Sequence, residues 1–183
     1  MTLRAISEID LPLILTWRNS PEVRMSMYSK HEISEAEHRA WFARMKKSDN
    51  SFWYIYENED GIGNGVVYFT DYQEKNHSAF WGFYTKPGAS PGTGTKLGLD
   101  AINEAFLVKK LHKLNAEVLG DNTKSIKFHK KLGFKEEGFF RDHYFNDGSY
   151  IDVLRFGMLS SEWMEKKSEL ESHIAHFRKI EKA

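Results

Sequence analysis

Between Phe80 and Phe134 the chain carries, in a fixed order, the residue types that binding a phosphorylated ligand and moving a proton require. A Pro/Gly-rich stretch, Pro87-Gly88-Ala89-Ser90-Pro91-Gly92-Thr93-Gly94-Thr95, follows the strand-like segment 78–84. A helical pattern opens directly after it, with Leu97, Ala101, Ile102, Ala105 and Phe106 on one face. A glycine loop entering a helix presents unpaired backbone N–H groups and the positive end of the helix dipole, which together suit a pyrophosphate. Such loops also make plain strand–helix connections, so the loop alone decides little. A second strand-like run, 114–119, then leads into Asp121-Asn122-Thr123-Lys124-Ser125-Ile126-Lys127-Phe128-His129-Lys130-Lys131-Leu132-Gly133-Phe134.

Several flanking elements must hold this segment in place. Leu3-Arg4-Ala5-Ile6 predicts a first strand. Asp10-Leu11-Pro12 opens a helix through Ile14, Leu15 and Trp17, with Asp10 as the expected N-cap and Pro12 in the first turn. Ser34-Glu35-Ala36-Glu37 matches a capping box, and the helix after it has Trp41, Phe42 and Met45 on its apolar face. Residues 52–56 and 65–69 predict a hairpin around Asp60-Gly61, and residues 144–145 and 150–156 predict another around Asn146-Asp147-Gly148. Residues 162–182 predict a charged amphipathic helix suited to packing or oligomer contact, with a solvated tail as the alternative.

The chain has 183 residues, 40% hydrophobic and 14% aromatic, enough for one domain with a sizeable core. Its formal net charge is +0 with dispersed charges, which argues against a nucleic-acid or anionic-membrane partner. No apolar run approaches the roughly 18 residues of a membrane span, and Met1-Thr2-Leu3-Arg4 starts no signal peptide, so a cytoplasmic location is expected. Cysteine is absent, which excludes disulfides, thiolate metal sites and a cysteine nucleophile. The eight histidines show no ligand-like spacing with carboxylates, so no metal is expected.

The order of loop, helix, strand and Asn122-to-Phe134 run resembles the GCN5-related N-acetyltransferase (GNAT) superfamily over nearly the whole chain. In that superfamily the loop reads Gln/Arg-x-x-Gly-x-Gly/Ala and the later segment Asn-x-x-Ala-x-x-x-Tyr-x-x-x-Gly-Phe. Here Asn122, Ser125, His129, Gly133 and Phe134 occupy the second pattern, with Ser for Ala and His for Tyr. The loop keeps Gly94, but Pro91 stands where Gln or Arg is usual and Lys96 replaces the last small residue.

The resemblance implies an α/β (α+β) fold, the GNAT fold: a mixed, mostly antiparallel central sheet with splayed central strands, flanked by helices. That domain would span residues 1–160, with 161–183 as a helical extension. It implies acetyl-coenzyme A as cosubstrate, with the pantetheine arm between strands 80–84 and 114–119. A backbone N–H near Phe83 or Tyr84 would face the thioester carbonyl. Gly92, Thr93, Gly94, Thr95 and Lys96 would turn N–H groups toward the pyrophosphate. The Asn122 amide would hold the pantetheine arm, with Ser125 beside it.

The resemblance implies that His129, in the place of the family tyrosine, would be the general acid toward the coenzyme sulfur. The alternative for His129 is a surface histidine among Lys127, Lys130 and Lys131. His77 and Tyr84 are further candidates for proton or substrate contact, against plainer roles as a turn residue and a packed aromatic. No carboxylate stands out as a base.

The acceptor is sought in the first two helices. Residues 17–28 and 37–42 resemble the nucleotide-sugar N-acetyltransferases of pseudaminic acid biosynthesis, which acetylate the 4-amine of UDP-4-amino-4,6-dideoxy-N-acetyl-β-L-altrosamine. The resemblance implies Arg18 and His38 near a diphosphate, with Met27, Tyr28 and Trp41 around uracil and ribose. A diphosphate suits a bidentate guanidinium, and a planar base suits aromatic or thioether faces. Arg18 could equally pair with Glu22 four residues on, and Trp41 could simply be core. A ribosomal-protein N-terminal or polyamine acetyltransferase also fits, as does a non-catalytic coenzyme-binding domain. A polyamine enzyme should surround its acceptor with carboxylates. The resemblance and the charged C-terminal helix point to a homodimer as a candidate assembly.

Overall fold

The computed structural model describes residues 2–180, with side chains described to residue 172. Seven strands form one sheet: β1 (Thr2–Ala5), β2 (Phe52–Glu57), β3 (Gly63–Gln73), β4 (Ser78–Thr85), β5 (Lys113–Leu119), β6 (Lys135–Asn146) and β7 (Ser149–Leu159). Their order is β1-β2-β3-β4-β5-β7-β6, and only the β4–β5 pair is parallel. The mixed, mostly antiparallel sheet and its flanking helices are those expected from the sequence.

The central pair is splayed. β4 and β5 share only the rungs Ser78↔Lys113, Ala79↔Leu114 and Phe80↔Asn115, and then part. The β4 backbone beyond Phe80 keeps β3 as its only neighbour, and β5 keeps β7 along its whole length. A parallel pair that opens this way leaves a wedge lined by unpaired backbone groups, able to take an extended ligand as an added strand.

Alternation along the strands divides the core between the two faces of the sheet. On one face lie α4 (Thr93–Asn103, continued by a π-helical turn Glu104–Val108), α5 (Thr123–Leu132) and α6 (Ser160–Ile180). They pack Leu97, Ile102 and Leu132 on Trp81, Leu114, Ala116 and Phe156. On the other, α1 (Leu11–Asn19) and α2 (Pro21–Arg24) set Ile14, Trp17 and Val23 on Ile55, Val66 and Tyr84. Each such side chain fully buried contributes roughly 1.5–3 kcal/mol. The sequence placed the C-terminal helix in an extension beyond residue 160. Trp163 and Leu170 of that helix are buried in the main core, and the Trp163 indole donates to Asn103 Oδ1 at 3.1 Å.

The capping box expected at α3 (Glu35–Met45) is present: Glu37 N–H donates to Ser34 Oγ at 3.2 Å and Ser34 N–H to Glu37 Oε2 at 2.8 Å. Asp10 differs from expectation. Its own backbone is helical, and its carboxylate caps the preceding turn by accepting from Ser7 N and Oγ, each at 2.8 Å. It also accepts from Arg4 Nη1 and Nη2 at 3.0 and 2.9 Å, tying the start of α1 to β1.

The Arg4 guanidinium and these bonds hold the Asp10 carboxyl down at about 2. A depressed carboxyl stabilises the fold above its unfolded value near 3.9 and ceases to do so as pH falls through about 2. Asp10→Asn should therefore lose about 2 kcal/mol at neutral pH. Its stability should also converge on wild type toward pH 2 to 3, which urea melts across that range would read.

Candidate active site

Two cavities meet at the sheet. The larger, about 460 Å³, follows the β4–β5 wedge from the Pro/Gly-rich loop and the start of α5 to Tyr68, Gly82 and Glu117. The second, about 420 Å³, lies under α1 and α3 on the opposite face from α4 and α5. Met27, Tyr28, Tyr68 and Tyr84 line both, so they form the junction.

At the loop end, Gly92 takes φ +83° as the residue before α4. That left-handed turn suits glycine and aims the first helical N–H groups into the cleft. Thr93 N–H donates to Ser90 O at 3.1 Å and Lys96 N–H to Gly92 O at 3.1 Å. Those of Gly94 and Thr95 make no such bond and remain for an anion. A Cβ on Gly94 would meet nothing closer than 3.8 Å, so the backbone there is open to a ligand. Lys96 was expected among the phosphate-binding N–H groups, but its N–H is used within the turn and it does not line the cleft.

Asn122 caps α5, with Oδ1 accepting from Ser125 N–H at 3.0 Å, and its Nδ2 remains free to donate into the wedge. Phe83, Tyr84, Thr93, Thr95 and Ser125 all line the same cleft. Unpaired β4 backbone, two free helix-start N–H groups and the Asn122 amide therefore fit an extended ligand ending in a pyrophosphate.

His129 also lines the cleft, but it is buried, not a surface residue among lysines. Its ring is boxed by Trp81, Phe134 and Phe156 at centroid distances of 5.5, 5.2 and 5.6 Å. Nδ1 lies 2.9 Å from Ser125 O, a carbonyl that can only accept, so Nδ1 carries the proton. Nε2 is buried without a partner. Burial holds the ring below its usual range, partly offset by the bond to Ser125. The neutral ring thus has a lone pair, not a proton, at Nε2, and giving a proton from there would first require a buried imidazolium.

The acceptor-side cavity gathers five of the six expected acceptor residues, Arg18, Met27, Tyr28, His38 and Trp41. A chain of rings forms its wall: His38 stacks on Trp41 (5.0 Å), Trp41 meets Trp53 edge-on (4.8 Å), and Trp53 stacks on Tyr68 (4.3 Å). Burial holds His38 low, so it is neutral at pH 7. Arg18 does not pair with Glu22. Its Nη2 donates to Ser29 O at 2.8 Å, and its Nη1 is buried without a partner. Arg24, close enough to repel Arg18, likewise buries its Nε unpartnered. Glu37, the one carboxylate among the described residues lining this cavity, is engaged by Ser34 and His31.

His77 is not brought to the site. It sits at the start of β4 in a left-handed turn (φ 45°), its carbonyl accepting from His112 and Lys113, where β4 and β5 are still paired.

Glu117 is the residue the sequence did not single out. β5 buries Leu114, Ala116 and Val118 on the α4/α5 face, so Glu117 points to the opposite face and lines the cleft near the junction. Arg155 Nε and Nη2 both bind Oε1, at 3.1 and 2.5 Å. Oε2 has only the Tyr28 hydroxyl at 3.5 Å and faces the cleft. The alternation of β5 was the available signal. Tyr28 is itself fastened from above, its carbonyl accepting from the Tyr144 hydroxyl. Burial first, then Glu117, raises the Tyr28 phenol to about 12. Burial also raises Tyr68 and Tyr84, so all three are neutral donors at pH 7. Among the described residues no group of His, Asp or Glu is arranged to hold a metal.

The family model for the acetyltransferase (GNAT) domain matches residues 3–154, and the chain belongs to that family. It is an N-acetyltransferase with acetyl-coenzyme A as cosubstrate. It is similar to the SPbeta prophage-derived uncharacterized N-acetyltransferase YokL of Bacillus subtilis, 29% identical over 89% of this chain and 92% of the relative. It is also similar to acetyltransferase PseH of Campylobacter jejuni, 30% identical over 68% of this chain and 76% of the relative. Among solved structures, spermidine N-acetyltransferase from Vibrio cholerae in complex with CoA and spermine superposes with a TM-score of 0.83. That match is 24% identical and covers 89% of this chain and 97% of the other, which bears on the fold alone.

Proposed function

We propose that the acceptor is a nucleotide-linked amino sugar, acetylated by direct transfer in a ternary complex. The observation that carries this is Arg18: a guanidinium with a buried, unpartnered Nη1 beside an aromatic pocket whose lone carboxylate is otherwise engaged. A buried donor without a partner costs about 1–3 kcal/mol, which an anionic ligand group would recover. Trp41 and the rings behind it offer flat faces to a base. Similarity to PseH and the resemblance of residues 17–28 and 37–42 to the pseudaminic acid enzymes support the same acceptor.

The amine enters at the junction and attacks the thioester carbon. Its surplus proton passes to Glu117 Oε2, the oxygen that Arg155 leaves free. The β4 N–H groups near Phe83 and Tyr84, unpaired with β5, stabilise the developing oxyanion. Collapse breaks the C–S bond and releases the coenzyme as its thiolate, and the proton held on Glu117 passes to solvent. With Nε2 unprotonated in the neutral ring, His129 serves as a wall of the channel.

A polyamine acceptor is favoured by the match to the spermidine acetyltransferase of Vibrio cholerae, 23% identical over 91% of this chain and 96% of the relative. A polycation, however, would meet Arg18 and Arg44 in the lining of this pocket. The deciding experiment is thiol release from acetyl-coenzyme A with UDP-amino sugars, spermidine and an N-terminal peptide as acceptors. Turnover confined to a UDP-amino sugar is expected. Turnover with spermidine or the peptide, and none with the sugars, would overturn the proposal.

A further inference from the structure

We infer that Tyr68, laid across Gly82, is the gate that limits the transferred acyl group to acetyl. Tyr68 on β3 and Gly82 on β4 are direct cross-strand partners, so both face the acceptor side of the sheet. A Cβ built on Gly82 would overlap Cζ, Oη and Cε2 of Tyr68. The tip of the phenol ring therefore occupies the space that a side chain at position 82 would fill. Trp53 stacks on the other side of the ring at 4.3 Å and 22°, so the ring cannot swing toward α3 without breaking that stack.

The location gives this packing a consequence. With phosphates at Gly94 and Thr95, the cleft can seat a coenzyme in one direction only, its acyl end toward Tyr68, Gly82 and Glu117. That orientation rests on the coenzyme reading above, but the gate does not depend on which amine is the acceptor. At this end the floor of the channel is β4 backbone, with Gly82 itself covered by the Tyr68 ring. The wall beyond it is the Tyr68 ring, which also lines the acceptor cavity. An acyl chain that runs on past the thioester carbonyl meets this wall, and each added methylene presses on a ring stacked against Trp53. The pair thus acts together: Gly82 lets the ring lie against the strand, and Tyr68 sets how much carbon follows the carbonyl.

The test is equilibrium binding of coenzyme A, acetyl-, propionyl- and butyryl-coenzyme A by titration calorimetry, which needs no acceptor. Wild type should bind the butyryl form roughly tenfold or more weakly than the acetyl form, the usual scale for one or two methylenes that do not fit. Tyr68→Val should bring the two within about threefold, while Tyr68→Phe, which keeps the ring, should retain the wild-type ratio. The interlock itself is read by thermal melting. Gly82→Ala should lower Tm in the wild-type background and have little effect in Tyr68→Val, where the obstructing ring is gone. If wild type binds acetyl and butyryl forms equally, or Tyr68→Val leaves the ratio unchanged while still folded, Tyr68 is not the gate. Failure of every coenzyme form to bind would overturn the orientation, and the gate with it.

Discussion

Glu117→Gln should lower kcat by about 10²–10³-fold with coenzyme affinity unchanged, the range for removing a positioned general base. The substitution keeps the shape of the side chain and an oxygen for Arg155 to bind, so the β5–β7 contact should survive. What it removes is the negative oxygen that faces the cleft beside Tyr28. The deficit should narrow as pH rises, because an amine that arrives neutral and a solvent richer in hydroxide both reduce the need for a base. Glu117→Asp should fall between the two. A rate loss that instead follows a fall in Tm, and that Arg155→Met reproduces, would mark Glu117 as structural.

Arg18→Met should raise the acceptor KM by about 10–100-fold and leave kcat and the coenzyme KM within a few-fold, since a charge-assisted bond to an anion contributes roughly 1.5–3 kcal/mol. Methionine retains the length and apolar stem of arginine, and Ser29 O lies close enough to the surface to be hydrated. Because Nη1 is buried and unpartnered without a ligand, the variant should be as stable as wild type or more so. Loss of stability with an unchanged acceptor KM would make Arg18 a strut for the segment that carries Tyr28 and Ser29.

Much of this architecture was legible from local chemistry. Asn146-Asp147-Gly148 specifies a tight turn, and Asp147 (φ 47°) and Gly148 (φ 83°) adopt the left-handed pair that such a turn requires. Ser34 and Glu37 announced the start of α3 because a capping box is closed within four residues. Gly92 announced the turn into α4, because the left-handed residue before that helix suits glycine. What stayed hidden depended on partners distant in sequence. Asp10 is the exception: Ser7 and Arg4 lie only three and six residues before it, and the same local pattern suits a cap on either of two adjacent turns.

The lysines beside His129 hid its burial. With α5 folded, Ser125, His129 and Leu132 turn inward while Lys124, Lys127, Lys130 and Lys131 remain exposed. Glu117 went unnoticed because its function depends on β4 and β5 parting after Phe80, a tertiary feature with no local signature. Tyr68 is a case of the same kind. An aromatic in a strand reads as core until the glycine across from it is known.

On the proposed function, an anion-seeking aromatic pocket adjoins the coenzyme cleft. Calorimetric titration of the coenzyme A-saturated protein with UDP, and separately with spermidine, tests it without turnover. UDP should bind wild type and fail to bind Arg18→Met, and spermidine should bind neither. Binding of spermidine with no binding of UDP would contradict the claim and assign the pocket to a polycation.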